Sequence, residues 1–85
     1  GKVNAIARIR GEKNIIKTLL EHFQNAKPDL SYGVSFGNAD AFEQMQTTIK
    51  AFTPVLQGVD IYTSDLGAVI GTHTGPGVVG IGFIV

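Results

Sequence analysis

With 85 residues, of which 44% are hydrophobic and 16% charged, the chain has the composition of one small globular domain, and the absence of cysteine excludes disulfides and thiolate metal sites. No stretch approaches the roughly 20 apolar residues of a membrane-spanning helix, and the charged start GKVNAIARIR lacks the apolar run of a signal peptide. These features favour a cytoplasmic location. The chain begins with Gly1 and ends in an apolar run at Val85, from which we expect it to be a fragment of a longer protein.

The charges are unevenly distributed although the formal net charge is zero. Residues 1–17 carry five basic residues and one acidic residue, whereas the remainder carries two basic and six acidic residues. This asymmetry either suits one end of the chain to an anionic partner or reflects a solvated helix start. Nucleic acid is a poor candidate for that partner, because the basic residues have no aromatic residues interleaved among them. We therefore expect no nucleic-acid binding.

The first predicted elements are a strand and a helix. Residues 3–10, VNAIARIR, alternate between two faces, which predicts a strand with Arg8 and Arg10 on the same side. After Gly11, EKNIIKTLLEHFQNA predicts an amphipathic helix that ends before Pro28. Its apolar stripe comprises Ile15, Ile16, Leu19, Leu20 and Phe23.

A second strand and a second helix follow. Residues 31–37, SYGVSFG, alternate between bulky and small side chains, which predicts a strand with one bulky face and one nearly bare face. Asn38 is a good N-cap for a helix over ADAFEQMQTTIKAF. The apolar residues of that helix recur at three- and four-residue spacing, as in a helix that packs on a core. They are Ala39, Phe42, Met45, Ile49 and Phe52.

Two more strands complete the predicted fold. GVDIYTS predicts a third strand after the break at Thr53-Pro54, and VVGIGFIV predicts a fourth. Four strands and two substantial helices predict an α+β fold. We expect a two-layer sandwich in which both helices cover the bulky face of a mixed sheet of about four strands.

The other face of that sheet is predicted to carry small residues. These side chains cannot fill a core by themselves, so two interpretations stay open. Either an absent piece of the parent protein packs closely on this face, or an elongated ligand lies there. The residues concerned are Ser31, Gly33, Ser35, Gly80 and Gly82.

The strongest candidate site is the run GTHTGPG, residues 71–77, which sets a histidine among glycines and threonines. The imidazole of His73, the hydroxyls of Thr72 and Thr74, and the backbone amides near Gly75 and Gly77 form a group rich in hydrogen-bond donors. An anionic oxygen of a carboxylate or phosphate is the natural ligand, because charge-assisted hydrogen bonds are the stronger ones.

Other chemistry is not supported by the sequence. No nucleophile-elbow motif surrounds Ser64, and GPGVVGIG lacks the lysine and the following helix of a phosphate-binding loop. His22 has no partner at helical spacing for a metal, so we expect it at the helix surface or at the edge of the core. The sequence predicts no catalytic residue, no metal and no cofactor.

The segment DLGAVIGTHTGPGVVGIGFIV resembles the end of the DegV family, bacterial proteins of two lobes whose last segment carries a G-x-x-I-G-x-H-x-G-P-G signature before a final strand. The stretch ARIRGEKNIIKTLLEHF is similar to the basic strand-to-helix passage of that family. The resemblance implies that residues 1–85 are a single domain, the C-terminal part of a two-lobed protein whose N-terminal lobe is absent. The signature positions matched are Gly67, Ile70, Gly71, His73, Gly75, Pro76 and Gly77.

The same resemblance implies a lipid-binding protein rather than an enzyme. Members of the family bind one long-chain fatty acid buried between the lobes and present its carboxylate to a separate fatty acid kinase. Further donors to the carboxylate would come from the N-terminal lobe. The implied carboxylate-binding residue is His73, to which the donor chemistry of the loop adds Thr72, Thr74 and Gly75. The implied basic surface toward the kinase or a membrane contains Arg8 or Arg10, and we also assign Lys13 to it.

Two other functions stay open. In one, the protein is a phosphotransfer component and His73 accepts a phosphoryl group; in the other, residues 1–85 are a purely structural half-domain in which the loop only turns the chain. Burial of an acyl chain contributes about 0.8 kcal/mol per methylene to binding. This domain alone would form only half of a tunnel, open to water, and so would lose much of that contribution. We therefore expect the isolated fragment to bind fatty acid weakly and to self-associate through its small-residue face.

Overall fold

A computed structural model describes residues 2–8, 13–65 and 77–85, with the backbone alone described in residues 2–8 and at Lys13. Within these ranges the chain forms two helices and four strands. Neither helix is long and apolar enough to cross a membrane. The elements are β1 (Lys2–Arg8), α1 (Lys13–Asn25), β2 (Val34–Ala39), α2 (Phe42–Phe52), β3 (Ile61–Asp65) and β4 (Val78–Ile84), with short 3-10 turns at Leu30–Tyr32 and Thr53–Val55.

The four strands form one mixed sheet in the order β1-β4-β2-β3. Strand β4 runs antiparallel to both of its neighbours, β1 and β2, whereas β2 and β3 are parallel. Helix α2 connects the parallel pair, as a parallel pair requires a crossover. The predicted α+β class is confirmed.

Both helices pack on one face of this sheet, as predicted. Phe36 of β2 lies beside Ile81 of β4 on that face. The ring of Phe52 in α2 contacts Phe23 of α1 and Phe36 edge to face, with centroid distances of 5.4 and 5.5 Å. The buried residues of this core are Leu19, Phe23, Val34, Phe36, Ala41, Met45, Phe52, Leu56, Val79, Ile81 and Phe83.

Strand β2 begins later than predicted. Ser31 and Tyr32 belong to a 3-10 turn instead of the strand. One carboxylate oxygen of Asp29 accepts hydrogen bonds from the Ser31 amide at 3.1 Å and from the Ser31 hydroxyl at 2.6 Å, which caps the turn. Gly33 then adopts a φ of +78°, so the extended chain starts only at Val34.

The start of helix α2 also differs from the prediction. Ala39 ends strand β2, and Asp40 takes a φ of +51° before the helix begins at Phe42. The N-cap of α2 is Ala41, without a side-chain cap hydrogen bond, so the prediction of Asn38 as N-cap is wrong. Asn38 lies within β2, and its Oδ1 accepts a hydrogen bond from the Ala41 amide at 3.0 Å just before the helix. Phe42, predicted to face the core, is 64% exposed.

Candidate functional site

All four strands have one end on the same side of the sheet, along a line that runs across the strands. Arg8 pairs with Val78, and Val78 pairs with Ala39. Asn38 pairs in turn with Asp65. The carboxyl ends of β1, β2 and β3 and the first residue of β4 therefore lie side by side, and we call this the carboxyl edge.

The predicted anion-binding loop is connected to the carboxyl edge at both ends. Thr72, His73, Thr74 and Gly75 lie outside the described residues, as does Arg10. Asp65 precedes the segment that contains the four loop residues and Gly77 follows it, and the Gly77 amide donates a hydrogen bond to the Ala39 carbonyl at 2.8 Å. Both flanking residues thus lie at the edge where β2 ends.

The predicted basic positions belong to the same edge by their place in the chain. Arg8 is the last residue of β1 and Lys13 is the first residue of α1, with four residues between them. This connection limits the distance between the end of β1 and the start of α1 to about 18 Å. The register brings Arg8 and the two residues that flank the histidine segment to the same end of the sheet.

A cleft of about 680 Å³ opens at the carboxyl edge where α2 begins. Its described lining includes the side chains of Asp40, Glu43 and Asp65 but no lysine or arginine. Asp40 and Glu43 give the described part of this cleft an acidic character.

The small residues lie together on the face of the sheet opposite to the one on which both helices pack. Ser35 pairs with Gly82, and Gly37 pairs with Gly80. We call these four residues the small-residue strip. The Ser35 hydroxyl donates to the Gly82 carbonyl at 3.3 Å, and the three glycines are buried. The face is therefore less open than the sequence predicts, and Ser31 is not part of it.

Two exposed tyrosines border the end of the strip that is farther from the carboxyl edge. Tyr62 pairs with Ser35 and is 56% exposed, while Tyr32 is 66% exposed. Together with Gly33, Gly82 and neighbouring residues they line a small pocket of about 130 Å³. Sequence reasoning missed this pocket, because it depends on the pairing of β2 with β3.

The remaining predicted residue with metal-binding chemistry, His22, is exposed on α1, as expected. Within residues 13–65 and 77–85, no group of three or more histidine, aspartate or glutamate side chains is placed to hold a metal ion.

Comparison with known proteins identifies the family. The sequence model described as "Uncharacterised protein, DegV family" matches residues 1–85, which is the whole chain. The chain belongs to the DegV family.

Two curated relatives of this DegV chain cover nearly all of it. It is 33% identical over 86 residues to a protein of Thermotoga maritima named fatty acid-binding protein, a match over 96% of the chain. It is 30% identical over 82 residues to a DegV domain-containing protein of Deinococcus radiodurans, a match over 95% of the chain. The chain spans 29% of the length of each relative.

The DegV signature has one member among the described residues. Gly77 has a φ of +90°, a backbone conformation that side chains with a Cβ rarely adopt. The glycine thus ends the histidine segment with a turn into β4. The other signature residues, Gly67, Ile70, Gly71, His73, Gly75 and Pro76, lie outside the described ranges.

Proposed function

We propose that residues 1–85 form the C-terminal lobe of a DegV protein that binds one long-chain fatty acid, with the acyl chain buried between this lobe and an N-terminal lobe. The family match and the name of the Thermotoga maritima relative support a fatty acid as the ligand. The role proposed is binding and presentation of the ligand rather than catalysis.

The observation that carries the proposal is that the two residues flanking the histidine segment, Asp65 and Gly77, lie at the end of the sheet from which the small-residue strip starts. Asp65 and Gly77 flank the segment at the carboxyl edge, and the strip begins two residues into β4, at Gly80. A carboxylate bound by His73, Thr72, Thr74 and Gly75 would have its acyl chain directed along the strip.

Glycine backbone suits the contact with an acyl chain. Because glycine has no Cβ, methylene groups approach the sheet closely once the ligand displaces the part of this lobe that buries Gly37, Gly80 and Gly82. From Val78 to Gly82 the strand offers a path of about 13 Å at the usual rise of about 3.3 Å per residue. Each methylene buried there contributes about 0.8 kcal/mol, provided that the other lobe covers it.

The charges of the described residues support the same orientation. The described acidic residues Asp40 and Glu43 lie on the α2 side of the carboxyl edge, whereas the four residues of the small-residue strip on the opposite face carry no charged side chain. Arg8, Arg10 and Lys13 belong to the passage from β1 to α1. We assign this passage to the surface that meets a fatty acid kinase or a membrane, where basic residues favour an anionic partner.

The test compares lipid content in two histidine variants of the full-length protein. Wild type, His73→Ala and His22→Ala are purified from a bacterial host, extracted with organic solvent and analysed by mass spectrometry. We expect about one fatty acid per chain in wild type and in His22→Ala, whose histidine is exposed on α1. We expect most of that lipid to be lost in His73→Ala.

The two parts of the proposal fail separately. Absence of lipid from all three proteins would refute fatty acid as the ligand. Full lipid content in His73→Ala would leave the ligand in place but refute the role of the histidine in holding its carboxylate.

A further inference from the structure

Strand β3 is the last strand of the described sheet, and it is unusually open. It pairs with β2 on one side, and all five of its residues are exposed. Ile61 and Tyr62 are among the exposed large hydrophobic residues, at 38% and 56%. Natural proteins usually protect such an edge with lysine, proline or a bulge, but the sequence IYTSD contains neither lysine nor proline.

The hydrogen-bond pattern shows which backbone groups of β3 point outward. The Val34 amide donates to the Asp60 carbonyl at 2.9 Å, and Val34 is in register with Ile61. The backbone groups of a strand alternate in direction, so those of Tyr62 face β2 while those of Ile61 and Thr63 face away. No partner for these outward groups is found among residues 2–8, 13–65 and 77–85.

We propose that the outer edge of β3 pairs with an extended segment of the same polypeptide that lies outside residues 1–85. The two curated relatives have more than two thirds of their length outside the matched region, so a full-length DegV protein has ample chain to supply the segment. The added strand would satisfy the outward amides and carbonyls of Ile61 and Thr63 and cover their apolar neighbours.

The size of the edge favours a tethered segment over a separate partner. A stable interface between free proteins buries about 800 Å² per partner. That area is about 15% of the 5303 Å² surface of this chain, far more than one five-residue edge offers. A segment of the same polypeptide is present at an effective concentration in the millimolar range and needs much less area.

The chemistry of the edge indicates what the segment contains. Cross-strand pairs of β-branched and aromatic residues stabilise sheets, so residues of these types are expected opposite Ile61 and Thr63. Asp60 is exposed immediately before the strand, which disfavours an acidic residue at that end of the segment.

Amide hydrogen exchange in the full-length protein, measured residue by residue by NMR, tests the pairing. We expect the amides of Ile61 and Thr63 to exchange as slowly as those of Tyr62 and Ser64, which face β2 in either case. If Ile61 and Thr63 exchange at least a hundredfold faster than Tyr62 and Ser64, the edge is open and the proposal is wrong.

Photo-crosslinking identifies the occupant. Thr63 is replaced by p-benzoylphenylalanine in the full-length protein, and the same replacement at Phe42, which is exposed on α2, serves as the control. We expect an intramolecular crosslink from position 63, but not from position 42, to a peptide outside residues 1–85. A crosslinked dimer, or crosslinks confined to residues 1–85, would overturn the proposal. The lipid content of the variants is a separate readout, so these outcomes do not depend on the proposed function.

Discussion

The aromatic ring of Tyr62 lies directly against the backbone of Gly33. A Cβ atom at Gly33 would be 2.7 Å from Cε2 of Tyr62 and 2.9 Å from the carbonyl oxygen of Asp60. Gly33 also has φ and ψ values of 78° and 178°, a region that is essentially restricted to glycine. Two independent requirements, space and backbone conformation, thus select glycine at the start of β2.

Replacement of Gly33 by alanine is expected to destabilise the protein by more than the backbone term alone. The unusual dihedral costs about 1–3 kcal/mol, and the contact with Tyr62 and the Asp60 carbonyl adds to it. Gly58→Ala is the matched control, because Gly58 has a φ of +76° but no atom within 4 Å of the added Cβ. Urea unfolding of the two variants measures the difference. Equal losses of stability would show that the close contact contributes nothing.

The aromatic cluster gives a second prediction. Phe52→Ala is expected to reduce the free energy of unfolding by about 3–5 kcal/mol, because the ring is fully buried between Phe23 and Phe36. Phe42→Ala removes the same side chain from the same helix at a position that is 64% exposed, and we expect a change within about 0.5 kcal/mol. Denaturant unfolding compares the two. A large loss in Phe42→Ala would mean that this ring is buried by a part of the protein outside the described residues.

The hydrogen bond that Asn38 accepts from the Ala41 amide gives a third prediction. Asn38→Ala leaves that amide without its acceptor and is expected to cost about 1 kcal/mol. Asn38→Asp keeps an acceptor oxygen in the same position but adds a carboxylate to the cleft that Asp40 and Glu43 line, so it should retain most of the stability at high salt, where like-charge repulsion is screened. Thermal unfolding of both variants provides the measurement. A loss in the aspartate variant equal to that in the alanine variant would assign the effect to the 3.6 Å contact between Asn38 Nδ2 and Met45 Sδ instead.

The turn before β2 predicts a pH dependence. Hydrogen bonds from the Ser31 hydroxyl and the Ser31 amide lower the pKa of Asp29 below its ordinary value of 3.8. A carboxyl whose pKa is lower in the folded state stabilises the fold above its unfolded pKa, and this contribution disappears as the pH falls through the lower folded value. Ser31→Ala should therefore raise the pKa of Asp29 in an NMR titration. The stability difference between wild type and variant should shrink below about pH 3.8. A pKa for Asp29 that does not change in Ser31→Ala would contradict this account.

The sequence predicts elements well where the signal is local. The apolar stripe of α1 is sufficient to locate the helix, and Leu19 and Phe23 are buried as its spacing indicates. The predicted boundaries of β2 are wrong at both ends, because each end depends on a turn that the alternation of side chains does not reveal. At the first end, Asp29 accepts a hydrogen bond from the Ser31 hydroxyl and so caps the 3-10 turn that precedes the strand. At the other end, Asp40 adopts a left-handed backbone conformation, with a φ of +51°, immediately after the strand.

Features that depend on distant pairing could not be read from the sequence. The alternation in GVDIYTS indicates a strand but not that β3 lies at the end of the sheet, where all its residues are exposed. The acidic cleft likewise combines Asp40 and Glu43 with Asp65, which lies more than 20 residues later in the chain and lines the same cleft because β2 and β3 are neighbours. For the candidate site, residue chemistry predicts an anionic ligand, but the face of the sheet offered to it depends on the strand order.

The position of β4 has a consequence for synthesis on the ribosome. It is formed by residues 78–84, yet it is the strand that joins β1 to β2, and it pairs Lys2 with Ile84. Among the described strands β1 has β4 as its neighbour, so a nascent chain that ends before Val78 holds β1 apart from the parallel pair of β2 and β3. The two parts can join only after these final residues leave the exit tunnel. Contacts between residues so far apart in the chain also slow folding. Phe23 of α1 packs edge to face on Phe83 of β4 at a centroid distance of 5.0 Å, so this side of the core stays uncovered until β4 is made. Apolar surface that is uncovered during synthesis is prone to aggregation and is what chaperones protect.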